Sequence, residues 1–297
     1  MELMRTLLFV PGHKDRLLEK APTSGADGLI YDLEDSVPPP ERALAREKIA
    51  AQLKSNAELP RYVRINGLAD AGPDVAEADL NAIVVPGLDG IMLPKANSAD
   101  DIAFVAGRLE RLERERGLAA GKVEILPFIE SAKGIHSAYE IATASPRVTA
   151  MGIGSAEDGD LMTDLGCRWS PEGTELLYAR SRLLLEARAA GVEYLIDGVF
   201  LGLDDEAGLV RDAEMARTIG YTGKTVIHPK QIEPINQVFS PSAKELEYYR
   251  AMIEAFESAE QQGTGAISFR GKMIDRAMVR KARRILERHG RIRSAES

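Results

Sequence analysis

The chain has 297 residues, 44% hydrophobic and 28% charged, with a net charge of −8 and one cysteine. This is a globular composition, long enough for one large α/β domain or two small ones. The acidity argues against a broad nucleic-acid footprint, Cys167 alone excludes an intrachain disulfide, and no apolar run reaches the roughly 18 residues of a membrane span. Leu7-Leu-Phe-Val10 is too short for a signal segment and runs into Pro11-Gly12, so a cytoplasmic protein with neither membrane nor nucleic-acid partners is expected.

Short apolar runs bounded by Gly, Pro or charge predict strands over Thr6–Val10, Gly28–Leu33, Tyr62–Ile65, Gly90–Leu93, Val123–Ile129, Val148–Ile153, Tyr194–Phe200 and Thr225–Ile227. Between them, apolar spacings of three and four predict helices over Lys14–Ala21, Glu41–Lys54, Asp100–Arg116, Ala132–Ala144, Pro171–Ala190 and Glu206–Ile219, with Ser170 as a cap before Pro171. The stretch Ala69–Val85 carries no clear assignment. Strict β-α alternation predicts a (β/α)₈ TIM barrel over residues 1–240. An open doubly wound sheet is disfavoured because the first turn, Pro11-Gly-His-Lys-Asp15, lacks the glycine-rich fingerprint. Residues 241–297 form a C-terminal helical extension: a helix over Lys244–Gln262, a glycine-punctuated loop or hairpin over Gly263–Gly271, and a basic helix over Asp275–Arg288.

Barrel enzymes carry their chemistry at the C-terminal ends of the strands. Two apolar runs here stop at carboxylates, Glu130 and Asp158, and two acids on neighbouring strand ends suit a hard cation such as Mg²⁺. The competing role for either acid is to cap the following helix. Arg64 suits polarising a substrate oxygen or closing a structural ion pair. Strand alternation places Arg64 with Asn66, Asp32 with Glu34, and Phe128 with Glu130. Asp32, Glu34 and Asp35 are candidates for groups behind the ligands, orienting water or cationic partners. Lys14, Arg16 and Lys95 stand at the rim, either meeting substrate phosphates or solvated. His228 has no zinc-type partner and is expected to be packed and hydrogen-bonded.

Phe9-Val-Pro-Gly12, Asp32-Leu-Glu-Asp-Ser-Val37, Arg64-Ile-Asn66, Met92-Leu-Pro-Lys95, Glu130-Ser-Ala-Lys-Gly134, Ala156-Glu-Asp158, Gly223-Lys-Thr-Val-Ile-His-Pro229 and Gly271-Lys-Met-Ile-Asp275 together resemble the citrate lyase β-subunit-like family of the HpcH/HpaI aldolase superfamily. Malyl-CoA and citramalyl-CoA lyases are relatives. The resemblance implies a homotrimeric barrel with Mg²⁺ on Glu130 and Asp158. It implies that Arg64 faces the reacting carbonyl and that Asp275 arrives from a neighbouring subunit as acid/base. The residues alone make Asp275 the N-cap of the last helix. The implied activity is cleavage of a 3-hydroxyacyl-CoA to acetyl-CoA and a 2-oxo acid. The alternatives are a malyl-CoA-type thioesterase, a subunit working with an acyl-carrier partner, and an aldolase without CoA. After Ala156-Glu-Asp158 the chain has about two more residues than relatives, so Asp160 is the rival to Asp158.

Overall fold

A computed structural model describes residues 4–55, 58–261 and 263–296. Eight parallel strands close into a barrel in sequence order: β1 (Thr6–Pro11), β2 (Gly28–Asp32), β3 (Arg61–Arg64), β4 (Gly90–Leu93), β5 (Glu124–Ile129), β6 (Ala150–Ile153), β7 (Tyr194–Asp197) and β8 (Gly223–Val226), with β8 pairing back to β1. The helices between them are α1 (Asp15–Lys20), α2 (Arg42–Leu53), α3 (Pro73–Ile83), α4 (Ala99–Glu115), α5 (Ala132–His136), α6 (Ala138–Thr143), α7 (Asp160–Leu165), α8 (Leu177–Ala189), α9 (Glu206–Ile219) and α10 (Ile232–Phe239). The fold is the TIM barrel expected from the alternation.

Three helix expectations need correction. The unassigned Ala69–Val85 stretch holds α3, which starts with Pro73 after a left-handed Gly72 and buries Ala76, Leu80 and Ile83. Its 3.6-residue stripe is interrupted by a buried acid, Asp79, which hid it. The single helix expected over Ala132–Ala144 is two, parted at Ser137, whose ψ of 16° is not helical. The helix expected from Pro171 starts at Leu177, because left-handed Gly173 breaks the run; Ser170 instead donates from Oγ to Glu175 at 2.6 Å.

The barrel interior is filled by Leu7, Ile30, Tyr62, Met92, Leu126, Phe128, Tyr194 and Ile196, with Phe9 packed against them. Large residues are accommodated by glycines on adjacent strands: a Cβ on Gly152 would lie 2.2 Å from the Phe128 ring. The aliphatic layer between sheet and helices is the larger core; Leu29, Val63, Ile91, Ile125 and Met151 face it from the strands, each fully buried. This two-sided burial is why the strands read as continuous apolar runs.

The chain divides after Phe239 into two compact units. The second, from Ser240, holds α11 (Ala243–Gln261), a hairpin of β9 (Ala266–Phe269) and β10 (Lys272–Asp275), and α12 (Arg276–Glu296). The expected end of the first of these helices, Gln262, lies outside the described residues. Arg270 and Gly271 both have positive φ, 48° and 78°, as a two-residue turn matching strand twist requires. Met252, Phe256, Ile274, Val279 and Ala282 form this unit's own core.

Candidate active site

The mouth of the barrel collects the inward-facing ends of β2, β3 and β5 with the loops after β4 and β6. Asp32 ends β2 and Arg64 ends β3, paired in register. Arg64 Nε donates to Asp32 Oδ1 and Nη2 to Asp32 Oδ2, both at 2.7 Å, a two-pronged pair. Its Nη1 lies 3.0 Å from Glu34 Oε2 and 3.2 Å from Asp35 Oδ2, and the guanidinium stacks 4.8 Å from the centre of the Phe9 ring. Burial works against the charge of Arg64, but Asp32 and Glu34 more than offset it and raise its pKa. Asp32 is likewise opposed by burial and held below the usual carboxylate range by Arg64. Asp32, Glu34 and Asp35 therefore all surround Arg64, and its orientation is set by acids rather than by solvent.

Glu130 follows β5 immediately and is only 9% exposed. Among the described residues it makes no hydrogen bond or ion pair. The helix-capping alternative is taken by its neighbour: Ser131 Oγ accepts from Gly134 N at 3.0 Å. A Cβ on Gly154 would lie 2.6 Å from Glu130 Cγ, so the end of β6 is hollowed to admit this side chain. Burial pushes the Glu130 carboxyl up to about 8, with Glu34 and Asp160 adding to the rise and Arg64 and Lys95 opposing it. Burial also pushes Glu34 up to about 7, against the pull of Arg64.

Asp158 sits in the turn after β6 with φ 53°, exposed and, among the described residues, without a hydrogen bond or ion pair. Asp160, the first residue of α7, is the acid whose charge reaches Glu130. The strand ends at Ile153, so several residues of loop intervene, and parity along the strand cannot aim a side chain that far. Of the two aspartates weighed from the sequence, Asp160 is thus the one whose charge acts on Glu130, while Asp158 lies exposed in the turn.

Lys95 lies in the rim but is not a free cation. Its Nζ is 2.5 Å from Asp70 Oδ2, 3.4 Å from Asp160 Oδ2 and 3.5 Å from Glu34 Oε1. Lys14 and Arg16 are exposed and, among the described residues, have no ion pair. Asn66 does not share the face of Arg64: β3 has already ended, and the Asn66 amide donates to Leu33 O and to Asp79 Oδ2 on α3. His228 is half-buried, and its Nδ1 accepts from Lys230 N at 3.1 Å, the hydrogen-bonded role expected of it. In the second unit, Asp275 caps α12, with Oδ1 accepting from Ala277 N at 2.9 Å and Met278 N at 3.0 Å, and it is exposed.

Sequence reasoning missed Asp70, which fell in the unassigned stretch, and Phe9, whose ring supports Arg64. Phe9 alternates with Leu7 on the first strand, a parity that could have placed it inside.

No group of three or more His, Cys, Asp or Glu stands ready to hold a metal among the described residues. Two carboxylates with the rest of the shell left to water are, however, an ordinary Mg²⁺ arrangement. A buried, partnerless Glu130 with a raised pKa fits a group that gains from a cation beside it.

Residues 5–229 match the family model described as HpcH/HpaI aldolase/citrate lyase. The chain belongs to this family. A second model, a C–C bond lyase of the TIM-barrel fold, matches residues 182–290. The citrate lyase subunit beta of Leuconostoc mesenteroides subsp. cremoris is 38% identical over 289 residues, 96% of this chain and 93% of that one. A (3S)-malyl-CoA thioesterase of Cereibacter sphaeroides is 37% identical over 288 residues, covering 95% and 93%. The structure of CitE from Mycobacterium tuberculosis in complex with magnesium, acetoacetate and coenzyme A has a TM-score of 0.76 at 29% identity, covering 97% of this chain and 98% of that one. No helix among the described residues is long and apolar enough to cross a membrane.

Proposed function

We propose that this family member is a Mg²⁺-dependent carbon–carbon lyase. Its substrate would be a 3-hydroxyacyl-CoA of malyl-, citramalyl- or citryl-CoA type, cleaved reversibly to acetyl-CoA and a 2-oxo acid. The observation that carries this reading is the partnerless, buried Glu130 facing an acid-oriented Arg64. The CitE relative bound to magnesium and coenzyme A supports it. Glu130 and Asp160 would hold the ion, with Asp158, the sequence's first choice, as the alternative second ligand. When bound, Mg²⁺ supplies Lewis-acid polarisation of the substrate's oxygens.

The chain's own residues do the rest. Arg64 is locked by Asp32, Glu34 and Asp35, so its remaining Nη2–H would be preorganised for the thioester oxygen. Asp275, supplied by a neighbouring copy in a homotrimer, takes the hydroxyl proton. The bond between the carbinol carbon and the α-carbon breaks. Its electron pair enters the acetyl-CoA enolate, whose oxygen Arg64 neutralises, and the carbinol becomes the 2-oxo acid. Protonation of the enolate carbon completes the cycle. Lys14 and Arg16, exposed and unpaired among the described residues, are candidates for the CoA phosphates; Lys95 is committed to carboxylates.

Two other readings have support. The thioesterase relative, nearly as similar as the citrate lyase subunit, favours attack of water on the thioester. The subunit's name favours action with an acyl-carrier partner. Mass spectrometry of products from purified protein, Mg²⁺ and a panel of acyl-CoA thioesters separates them. Acetyl-CoA with a 2-oxo acid is the expected result. Free CoA with intact hydroxy acid would replace it with hydrolysis, and turnover only with an acyl-carrier protein would replace it with the subunit role.

A further inference from the structure

The barrel mouth is unevenly charged. Among the described residues, Arg64 and Lys95 are the cations that pair with or act on Asp32, Glu34, Asp35, Asp70, Glu130 and Asp160. Arg64 is confined to the β2 side, held by Asp32, Glu34 and Asp35. Lys95 is the cation that reaches the β6 side. Its ammonium bridges acids from three separate segments: Glu34 after β2, Asp70 after β3 and Asp160 at the start of α7. It holds that position with a left-handed backbone, φ 52°, a conformation unfavourable for a non-glycine residue that persists where surroundings enforce it.

We propose that Lys95 is a resident cation that tunes the site's affinity for a divalent ion, by sharing Asp160 and Glu34 with that ion and by being held back by Asp70. The inference rests on the reading of Glu130 and Asp160 as the ion's ligands. A divalent ion bound there meets the fixed positive charge of Lys95 and competes with it for the Asp160 oxygen. Asp70 is more than half exposed and its carboxylate contacts Lys95, so it acts as a tether that draws the ammonium toward the rim. The device keeps Asp160 oriented and holds the ion's affinity below what six acids would otherwise produce.

The test is titration of the full-length protein with Mn²⁺, followed by the electron paramagnetic resonance of the free ion. Lys95→Met is expected to tighten Mn²⁺ binding by about tenfold, the size of one removed charge acting on a dication across about 6 Å of aqueous screening. Lys95→Arg, which keeps the charge, should stay near wild type. Asp70→Asn, at an exposed position with little risk to folding, should weaken binding by releasing the ammonium toward Asp160. Lys14→Met is the control for general electrostatics. Unchanged or weaker binding in Lys95→Met, unchanged or tighter binding in Asp70→Asn, or equal tightening in Lys14→Met overturns the proposal. Glu130→Gln and Asp160→Asn test the underlying reading separately: wild-type Mn²⁺ affinity in both would remove the ion site itself, whatever Lys95 does.

Discussion

Two clusters of buried charge lie within one barrel, and they are built on opposite plans. On the outer face of the sheet, Asp197 at the end of β7 meets Arg180 of α8 at 2.9 Å and Lys224 of β8 at 2.7 Å. Asp212 of α9 closes the ring, 3.0 Å from Arg180 and 2.5 Å from Lys224. Two acids face two bases, and Lys224 is fully buried. Ser155 Oγ adds a hydrogen bond to Asp197 at 3.0 Å. Burial alone would raise the Asp197 carboxyl, but Arg180 and Lys224 bring it down to about 2. In the mouth, acids outnumber bases and Glu130 has no cation of its own among the described residues. A saturated cluster ties helices to the sheet; an unsaturated one keeps a place for something that is not protein.

The largest expected effect comes from breaking the saturated cluster. Asp197→Ala leaves two buried cations sharing Asp212 alone and should cost about 3–5 kcal/mol of unfolding free energy, read by urea titration of the ion-free protein. A loss below 1 kcal/mol would dissolve the contrast between the clusters. Arg64→Lys keeps the charge but loses the two-pronged grip on Asp32, and should lower kcat by about 10²–10³ with little change in KM. A change confined to KM would make Arg64 a binding residue only. Glu130→Gln should weaken divalent-ion binding by at least about tenfold, measured by calorimetry, while leaving stability at neutral pH equal or higher, since a neutral amide need not take up a proton on folding as the buried carboxyl does.

The last expected effect is in the pH dependence of stability. Below the ordinary glutamate pKa both folded and unfolded chains carry the Glu130 proton. Between there and about 8 the folded chain keeps a proton that the unfolded chain has released, so stability falls as pH rises through that window. Glu34, raised to about 7, adds a second contribution of the same sign. Chemical denaturation of the ion-free protein from pH 5 to pH 8 should show the decline, and Glu130→Gln should flatten most of it; an identical slope in the variant would contradict the assigned burial.

The contrast also explains how much was legible in the sequence. Strand existence was readable because burial on both faces leaves uninterrupted apolar runs, and β-α alternation then leaves few closed topologies. The rim was readable in the same way: Asp32, Arg64 and Glu130 were all located by the strands they end or follow. What an apolar run does not reveal is which face its terminal acid takes. Asp197 and Glu130 look alike in sequence, yet Asp197 turns outward to Arg180 and Glu130 inward beside Gly154. Loops were harder still. Asp160 reaches the site through a helix start and Asp70 through the segment before α3, and neither position follows a strand's two-residue parity. The acid/base role proposed for Asp275 rests on family resemblance alone, because a capping aspartate and a catalytic one are the same letter.

The most direct test is a crystal of this protein soaked in Mn²⁺ and measured for anomalous scattering. A single strong peak between the carboxylates of Glu130 and Asp160 is the expected result. A peak elsewhere, or none with both side chains ordered, would contradict the account of the barrel mouth as a divalent-ion site.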